Sequence, residues 1–112
     1  MQTEKEAVLV TVSVPDEGLA AALAERLLQE RRAACCQTLG PIRSQYHWQG
    51  QIESATEWLL ILKTQRQHLS ALESVILENH PYDVPEIIVT AIEAGHAAYL
   101  DWIRRETTGK RR

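Results

Sequence analysis

The sequence predicts one α+β domain in the order β-α-β-β-α-β, with a short additional helix at the C-terminal end. Two observations support this class: β-branched runs alternate with a period of two, and two longer segments carry apolar side chains at helical spacing. The chain has 112 residues, 45% hydrophobic and 24% charged, so one core and one domain over residues 1–112 are expected. Residues 1–6 and 107–112 are expected to be flexible ends.

The first strand and the first helix have the clearest patterns. Valine occupies every second position of residues 8–14, which is typical of a strand. Residues 15–18, Pro-Asp-Glu-Gly, end it and place two carboxylates where a following helix presents unpaired N–H groups. Leu19, Leu23 and Leu27 then recur every four residues, which predicts an amphipathic helix covering one face of a sheet.

The middle of the chain predicts a long, bent hairpin. Residues 33–38 and 42–48 both have strand patterns, and Gly40-Pro41 between them indicates a bend or bulge. Gln49-Gly50 is a two-residue hairpin signal, after which residues 51–64 return antiparallel.

The last third of the chain supplies the remaining elements. An apolar stripe predicts a second helix over residues 67–79, followed by a loop over 80–85 that contains two prolines. A fourth strand over residues 86–92 and a short helix over 98–106 complete the order. This order is that of a ferredoxin-like sandwich with an extra C-terminal helix.

Two strands are apolar on both faces, although right-handed crossovers place both main helices on one face of the sheet. Residues 58–62 and 87–89 are apolar at consecutive positions, so the second face also requires cover. Another subunit is the simplest cover; the alternative is that the C-terminal helix folds under the sheet. The sequence therefore predicts an oligomer.

Charge and composition exclude several classes of partner. Fifteen acidic against twelve basic residues, with residues 110–112 as the only basic run, argue against nucleic acid binding. The N-terminal apolar run is too short for a signal or membrane segment, so a cytoplasmic protein without membrane contact is expected. Cys35 and Cys36 are adjacent, which would strain a disulfide between them and favours reduced thiols.

The sequence has no recognisable catalytic motif, and we expect no enzymatic activity. No serine or cysteine lies in a Gly-x-Ser-x-Gly turn or beside a helix start, and the glycines are scattered singly. Glu53 and Glu57 lie four apart on one side of a strand, a spacing that suits a general acid and base. The favoured alternative is that these carboxylates pair with Lys63 or Arg43, or are solvated.

Thiols and imidazoles suggest metal ligation, but their spacing argues against a closed site. The two cysteines do not form a Cys-x-x-Cys pair, and the four histidines lie in different elements without a His-x-x-x-His pair. A cysteine in an apolar strand is most simply a small buried hydrophobe, and each histidine a cap or an exposed ring. No cofactor is required by this pattern.

An aromatic cluster offers a candidate ligand cleft. Tyr46, Trp48 and Tyr82 are its aromatic members, and Glu53 and Lys63 are candidate polar contacts. A two-residue hairpin loop places Tyr46 opposite Glu53. Packing without a ligand is the alternative explanation for the aromatic residues.

Six segments in order resemble the CutA family, the divalent-cation tolerance proteins. They extend from residue 8 to residue 103 and have the sequences VPDE, RRAACCQ, YHWQGQIE, LLILKT, ENHPYDVPEII and YLDWI. The resemblance implies a ferredoxin-like fold assembled as a tight homotrimer. It also implies an architecture similar to that of the trimeric PII signalling proteins, with clefts between subunits.

The resemblance also bears on metal binding. Where copper-binding members place a cysteine in the first strand, this chain has Val12, and where they place two histidines before the proline, it has Asn79 and His80. Cys35 matches a family cysteine in the second strand. The resemblance thus implies His80 and Cys35 as the candidate metal ligands, with at most weak binding of copper or another divalent cation.

Two functions follow as expectations. The first is a non-enzymatic trimeric protein of divalent-cation tolerance or response. The alternative is a PII-like trimeric sensor or signalling scaffold that binds a small molecule in its inter-subunit clefts.

Overall fold

The computed structural model describes residues 1–108, which form two sheets and three helices. The strands are β1 (Gln2–Thr3), β2 (Ala7–Val14), β3 (Cys35–Trp48), β4 (Gln51–Gln65), β5 (Ile87–Ala91) and β6 (Ala94–Gly95), and the helices are α1 (Glu17–Gln29), α2 (Leu69–Asn79) and α3 (Ala97–Glu106). A 3-10 turn, Arg66–His68, leads directly into α2. The predicted four strands and three helices are confirmed, with the predicted ends shifted by at most two residues.

The main sheet has the order β3-β4-β2-β5, and every neighbouring pair is antiparallel. In its centre, Val10 of β2 lies between Leu62 of β4 and Val89 of β5. This is the ferredoxin-like arrangement predicted from the element order. Asp16 caps α1, as the carboxylates after the first strand predict, because its Oδ1 accepts the Leu19 N–H at 2.7 Å.

β3 and β4 form one long hairpin with a bulge. The two predicted strand segments around Gly40-Pro41 are a single strand whose register shifts between Leu39 and Ile42. At the loop, Gln49 and Gly50 have φ of 50° and 80°, the left-handed backbone of a two-residue hairpin turn.

The hydrophobic core lies between the main sheet and the helix pair α1 and α2. The fully buried side chains come from alternate positions of β2 and β4 and from the inner stripe of each helix. They include Val8, Val10, Val12, Val14, Leu23, Leu27, Leu60, Leu62, Leu72 and Ile76. Both main helices therefore cover one face of the sheet.

The second face of the sheet is covered at one end only. α3 packs Leu100 and Ile103 against Ala7, whose side chain points away from the core of Val8. Farther along this face, Leu39 and Ile88 are 48% and 53% exposed. The C-terminal helix thus supplies part of the second cover, and the rest of this apolar face is open in the single chain.

Both ends of the described chain make contacts with the rest of the fold. β1 pairs with β6, and the buried carboxylate of Glu4 accepts the N–H groups of Glu6 at 2.9 Å and Ala7 at 2.6 Å. Thr107 is fully buried, and its hydroxyl donates to the Ile103 carbonyl at 2.7 Å. β1 and β6 have two residues each, which is too short for an alternating pattern that would predict them from the sequence. The expectation for residues 109–112 lies outside the described residues.

Candidate functional site

His80 lies in the loop after α2, with both ring nitrogens hydrogen-bonded to backbone. Its Nε2 donates to the Ser13 carbonyl at the end of β2, at 2.7 Å, and its Nδ1 accepts the Tyr82 N–H at 3.2 Å. A carbonyl only accepts and an amide N–H only donates, so these partners fit the imidazole tautomer that carries its proton on Nε2. The ring anchors the loop to the sheet.

Tyr82 continues this anchor to β4. Its hydroxyl donates to Oε2 of Glu57 at 2.7 Å, and its ring lies 4.6 Å from that of His80 between centroids. Burial, and then the hydrogen bond and charge of Glu57, raise the pKa of the Tyr82 hydroxyl well above its ordinary value of 10.0. Glu57 is buried, so the Tyr82 hydroxyl supplies a hydrogen bond to a carboxylate that is shielded from solvent.

Three of the other cleft candidates, Tyr46, Trp48 and Glu53, lie in the loop-proximal part of the hairpin that carries Glu57. Tyr46 faces Glu53 and Trp48 faces Gln51 across β3 and β4, so the predicted register is confirmed. Alternation places these side chains on the side of the hairpin that also carries Glu57. The aromatic residues and the two carboxylates thus form one surface.

Lys63 does not belong to that surface. Ten residues of β4 separate it from Glu53, on the order of 30 Å along the strand. Its Nζ donates to Gln37 Oε1 at 2.5 Å and lies 3.9 Å from the Sγ of Cys35. The structure therefore places Tyr46, Trp48 and Glu53 on one face of the hairpin, with Tyr82 bound to Glu57 of that face, and places Lys63 with Cys35 farther along the sheet.

The two candidate metal ligands are far apart within one chain. Cys35 pairs with Lys63, and Lys63 pairs with Leu9 of β2. His80 instead binds Ser13, four residues farther along β2, which corresponds to about 13 Å. Ligand bonds to zinc or copper are about 2 Å long. His80 and Cys35 of one chain do not fit a shared ion, and among residues 1–108 no three His, Cys, Asp or Glu side chains converge.

The remaining positions compared with copper-binding relatives have structural roles. Val12 is fully buried in the core, and the side-chain amide of Asn79 donates to the Val75 carbonyl at 2.8 Å in the last turn of α2. Cys36 points into the core beside Leu62, where burial raises the pKa of its thiol to about 11. A neighbouring Cys35 adds to that rise and Lys63 opposes it.

Sequence reasoning missed the partnership between Glu57 and Tyr82, and it missed Ser13 as the partner of His80. Glu57 is the one carboxylate of the long strand that is buried, but the alternating pattern does not distinguish it from Glu53. The pairings with Lys63 or Arg43 that the sequence suggested for it do not occur. The sequence signal for this partnership was Tyr82 itself, which lies in a short loop bounded by two prolines. Such a loop is short enough to hold the tyrosine ring against the sheet.

An open hollow of about 460 Å³ lies near the bulge of the hairpin. It is lined by Pro41, Ile42, Arg43, Ser54, Ala55 and Thr56. None of the five predicted cleft residues lines it. Within residues 1–108, no helix is long and apolar enough to cross a membrane.

Comparison with known proteins identifies the family. Residues 8–106 match the family described as CutA1 divalent ion tolerance protein. The divalent-cation tolerance protein CutA of Thermus thermophilus is 40% identical over 99 residues, which cover 88% of this chain and 96% of that protein. The rice protein CutA 1, chloroplastic, is 37% identical over 105 residues, or 94% of this chain.

Solved structures agree with the sequence match. The crystal structure of CutA1 from Oryza sativa superimposes with a TM-score of 0.89 at 36% identity, covering 94% of this chain and 96% of that one. The Thermus thermophilus structure gives 0.88 at 38% identity, covering 90% and 98%. The chain spans only 59% of the full rice protein and 55% of its Arabidopsis thaliana counterpart. By the match over residues 8–106 and the identity to these relatives, the chain belongs to the CutA1 family of divalent ion tolerance proteins.

Proposed function

We propose that this chain is a non-enzymatic homotrimer of divalent-cation tolerance, and that the open face of its sheet is the surface on which the copies assemble. The observation that carries the proposal is the apolar second face. Leu39 and Ile88 remain about half exposed there, although α3 already covers the end near Ala7. An apolar sheet face that extends beyond the helix covering it, here α3, is typical of an obligate interface.

The edges of the sheet support a ring rather than a two-fold pair. β3 and β5 form the two edges, and they differ in length, 14 and 5 residues. A contact between unlike edges of two copies is heterologous, and heterologous contacts either close into a ring or continue as an open filament. A trimer is the smallest such ring.

Sedimentation equilibrium at micromolar concentration tests the assembly. The wild-type chain is expected to be a trimer, and Ile88→Asp should dissociate or unfold it because the interface buries an unpaired charge. Leu77→Asp is the matched control: Leu77 is 50% exposed on the outer side of α2, and its variant should remain trimeric. A wild-type monomer would refute the proposal, and a dimer would refute the stoichiometry.

Metal binding in this proposal is weak, because one chain offers His80 and Cys35 too far apart to share an ion. His80 must also give up a backbone hydrogen bond before either ring nitrogen becomes a free ligand. Assembly is the remaining way to bring ligands of different copies together. The proposal therefore expects affinity in the micromolar range for copper or zinc, on the order of that for open, poorly selective sites.

The metal affinity is measured by competitive titration of the reduced protein against a chelator of known affinity. Copper(I), copper(II) and zinc are titrated separately. His80→Ala and Cys35→Ser are the informative variants, and His96→Ala controls for the loss of an exposed imidazole. Sub-nanomolar binding that both informative variants abolish would overturn the expectation and make direct metal handling the primary function.

The absence of catalysis is also a proposal. Its support is that the buried carboxylate of Glu57 accepts a hydrogen bond from the Tyr82 phenol, an arrangement that anchors a loop. A broad substrate panel tests it, with Glu57→Gln and Glu53→Gln as variants. Turnover that either variant removes while the assembly stays intact would contradict the proposal. A cytoplasmic location remains part of the same proposal, to be checked by cell fractionation.

A further inference from the structure

The open hollow on the β3–β4 hairpin contains three polar side chains that have no partner among residues 1–108. The hollow, of about 460 Å³, is lined by Pro41, Ile42, Arg43, Ser54, Ala55 and Thr56. Every other arginine of residues 1–108 contacts a carboxylate, a carbonyl or an imidazole, whereas Arg43 makes no such contact. Ser54 and Thr56 are exposed, and their hydroxyls make no hydrogen bond within the same residues. Three hydrogen-bond donors are therefore available to a ligand.

The strand pairing directs these three side chains to one side of the hairpin. Arg43 pairs with Thr56, and Ser54 lies two residues before Thr56 on β4. Opposed residues of an antiparallel pair point to the same side, and so do alternate residues of one strand. The Cβ atoms of opposed residues are about 5 Å apart, and those of diagonal neighbours about 7 Å. A long guanidinium side chain and the two hydroxyls can thus contact the same small group.

The charge on this side of the hairpin is positive. Glu53 and Glu57 occupy the intervening positions of β4, so alternation directs both carboxylates to the opposite side. None of the residues that line the hollow is acidic. The positive charge of Arg43 is therefore compensated by no carboxylate of the hairpin, in a chain whose net charge is -3. A cation in this setting attracts an anion from solution.

We propose that the hollow binds the carboxylate of a small organic acid, held by the guanidinium of Arg43 and the hydroxyls of Ser54 and Thr56. A guanidinium donates two parallel hydrogen bonds that match the two oxygens of a carboxylate. One guanidinium compensates one negative charge, which favours a carboxylate over a phosphate monoester with a charge of about -2. The volume of the hollow lies in the range of about 300–1,000 Å³ that is typical of small-molecule sites. Apolar surface for the hydrocarbon part of the acid comes from Pro41, Ile42 and Ala55.

The hollow is separate from the surface proposed for assembly. Alternation along β4 places Ser54 and Thr56 on the side that carries Leu60, which is buried in the core between the sheet and the two main helices. Leu39 and Ile88 of the open apolar face lie on the other side of the sheet. Binding of an organic acid thus goes beyond the proposed function, and it can be tested independently of the number of subunits.

Nitrogen-15 amide spectra of the purified protein, titrated separately with butyrate and benzoate at constant ionic strength, test the site. Both carboxylates should produce shifts that saturate below about 10 mM and are centred on residues 41–43 and 54–56. Butylamine, which replaces the carboxylate by an ammonium group, should produce no such shifts. Inorganic phosphate should bind more weakly than the carboxylates, because one guanidinium compensates only part of its charge.

Substitutions of Arg43 test the cationic contact. Arg43→Gln should weaken carboxylate binding by about tenfold, because it removes the charge-assisted hydrogen bonds but keeps a polar side chain. Arg43→Lys keeps the charge without the planar fork and should weaken binding by about threefold. Arg105→Gln is the matched control: the Arg105 side chain lies on α3 and is 65% exposed, and this variant should bind as the wild type does.

The proposal is overturned if neither carboxylate gives saturable shifts, or if butylamine shifts the same amides. It is also overturned if inorganic phosphate binds more tightly than both carboxylates, or if Arg43→Gln binds them like the wild type. Each of these results leaves the sedimentation test of the trimer unaffected, so the two proposals can fail separately.

Discussion

At the scale of single residues, the loop after α2 is fixed by side chains that bind across the ends of two strands. Tyr82 donates to the buried carboxylate of Glu57, and His80 donates to the carbonyl of Ser13. Each bond satisfies a polar group that has little contact with water. These residues therefore determine where the proline-bounded loop lies relative to the hairpin.

The Tyr82 hydroxyl is expected to stabilise the fold measurably. Tyr82→Phe leaves the buried Glu57 carboxylate without its donor, and the free energy of unfolding should fall by about 1–3 kcal/mol. Denaturant unfolding of the purified protein measures this. Tyr99→Phe, which keeps a ring stacked on Trp102, should change it by less than about 0.5 kcal/mol. Equal effects of the two variants would contradict the role of Glu57.

Cys36 is expected to be inert, because burial raises the pKa of its thiol to about 11. At pH 8 only about one such thiol in a thousand is ionised, and the thiolate is the reactive form. In a Cys35→Ser variant, a disulfide reagent should label Cys36 only after denaturation. In the Cys36→Ser variant, the same reagent measures the labelling of Cys35 alone. Rapid labelling of native Cys35→Ser would show that Cys36 is accessible and ionised.

At the scale of elements, the bulge in β3 depends on a close contact with β4. Gly40 lies against the Trp58 indole, and a Cβ at this position would overlap the ring. Alternation places Trp58 on the side of β4 that also carries Leu60. The absence of a side chain at Gly40 thus lets the bulged strand approach its partner.

Gly40→Ala should lower the free energy of unfolding by about 1–3 kcal/mol, because the indole or the bulge must move. Gly18→Ala is the matched control: in the first turn of α1 a Cβ would have Asp16 Oδ1 at 3.4 Å, an ordinary contact. That variant should be neutral or stabilising by up to about 1 kcal/mol. Thermal and denaturant unfolding of both variants decide the comparison, and an unperturbed Gly40→Ala would contradict the close contact.

At the scale of the whole molecule, the two ends of the described chain are tied together through one buried carboxylate. Arg104 of α3 donates to Glu4 at 2.8 Å, across 100 positions of sequence. Burial alone raises the pKa of Glu4, but hydrogen bonds from the Ala7 N–H, Arg104 and the Glu6 N–H outweigh it and lower the pKa below 4.5.

This lowered pKa predicts how stability depends on pH. A carboxyl whose pKa is lower in the folded state stabilises it fully at neutral pH, and the contribution is lost as pH falls through the folded pKa. Glu4→Gln should therefore cost about 1–3 kcal/mol at pH 7, and the difference from wild type should shrink toward about pH 3. Glu25→Gln, on the exposed side of α1, is the control. A pH-independent difference would contradict the ionic role of Glu4.

The sequence by itself determined the element order, the bulged hairpin and the two-sided apolar strands. These features come from local signals: valine alternation in residues 8–14, turn chemistry at Gln49-Gly50, and consecutive apolar positions in residues 58–62. The family resemblance followed from motifs spread along the chain. Local backbone preferences and apolar alternation depend on residues that are neighbours in sequence, so they can be predicted without a structure.

Only the tertiary structure decided which polar residues meet. The sequence grouped Lys63 with Glu53 as candidate cleft contacts, and the family resemblance implied His80 and Cys35 as candidate metal ligands. The structure separates both pairs, because residues distant along one strand, or at opposite ends of neighbouring strands, remain apart. It joined Glu57 with Tyr82 and Glu4 with Arg104 instead. Such pairings depend on how loops and termini pack against the sheet. The number of residues between two positions does not give the distance between their side chains in the folded chain.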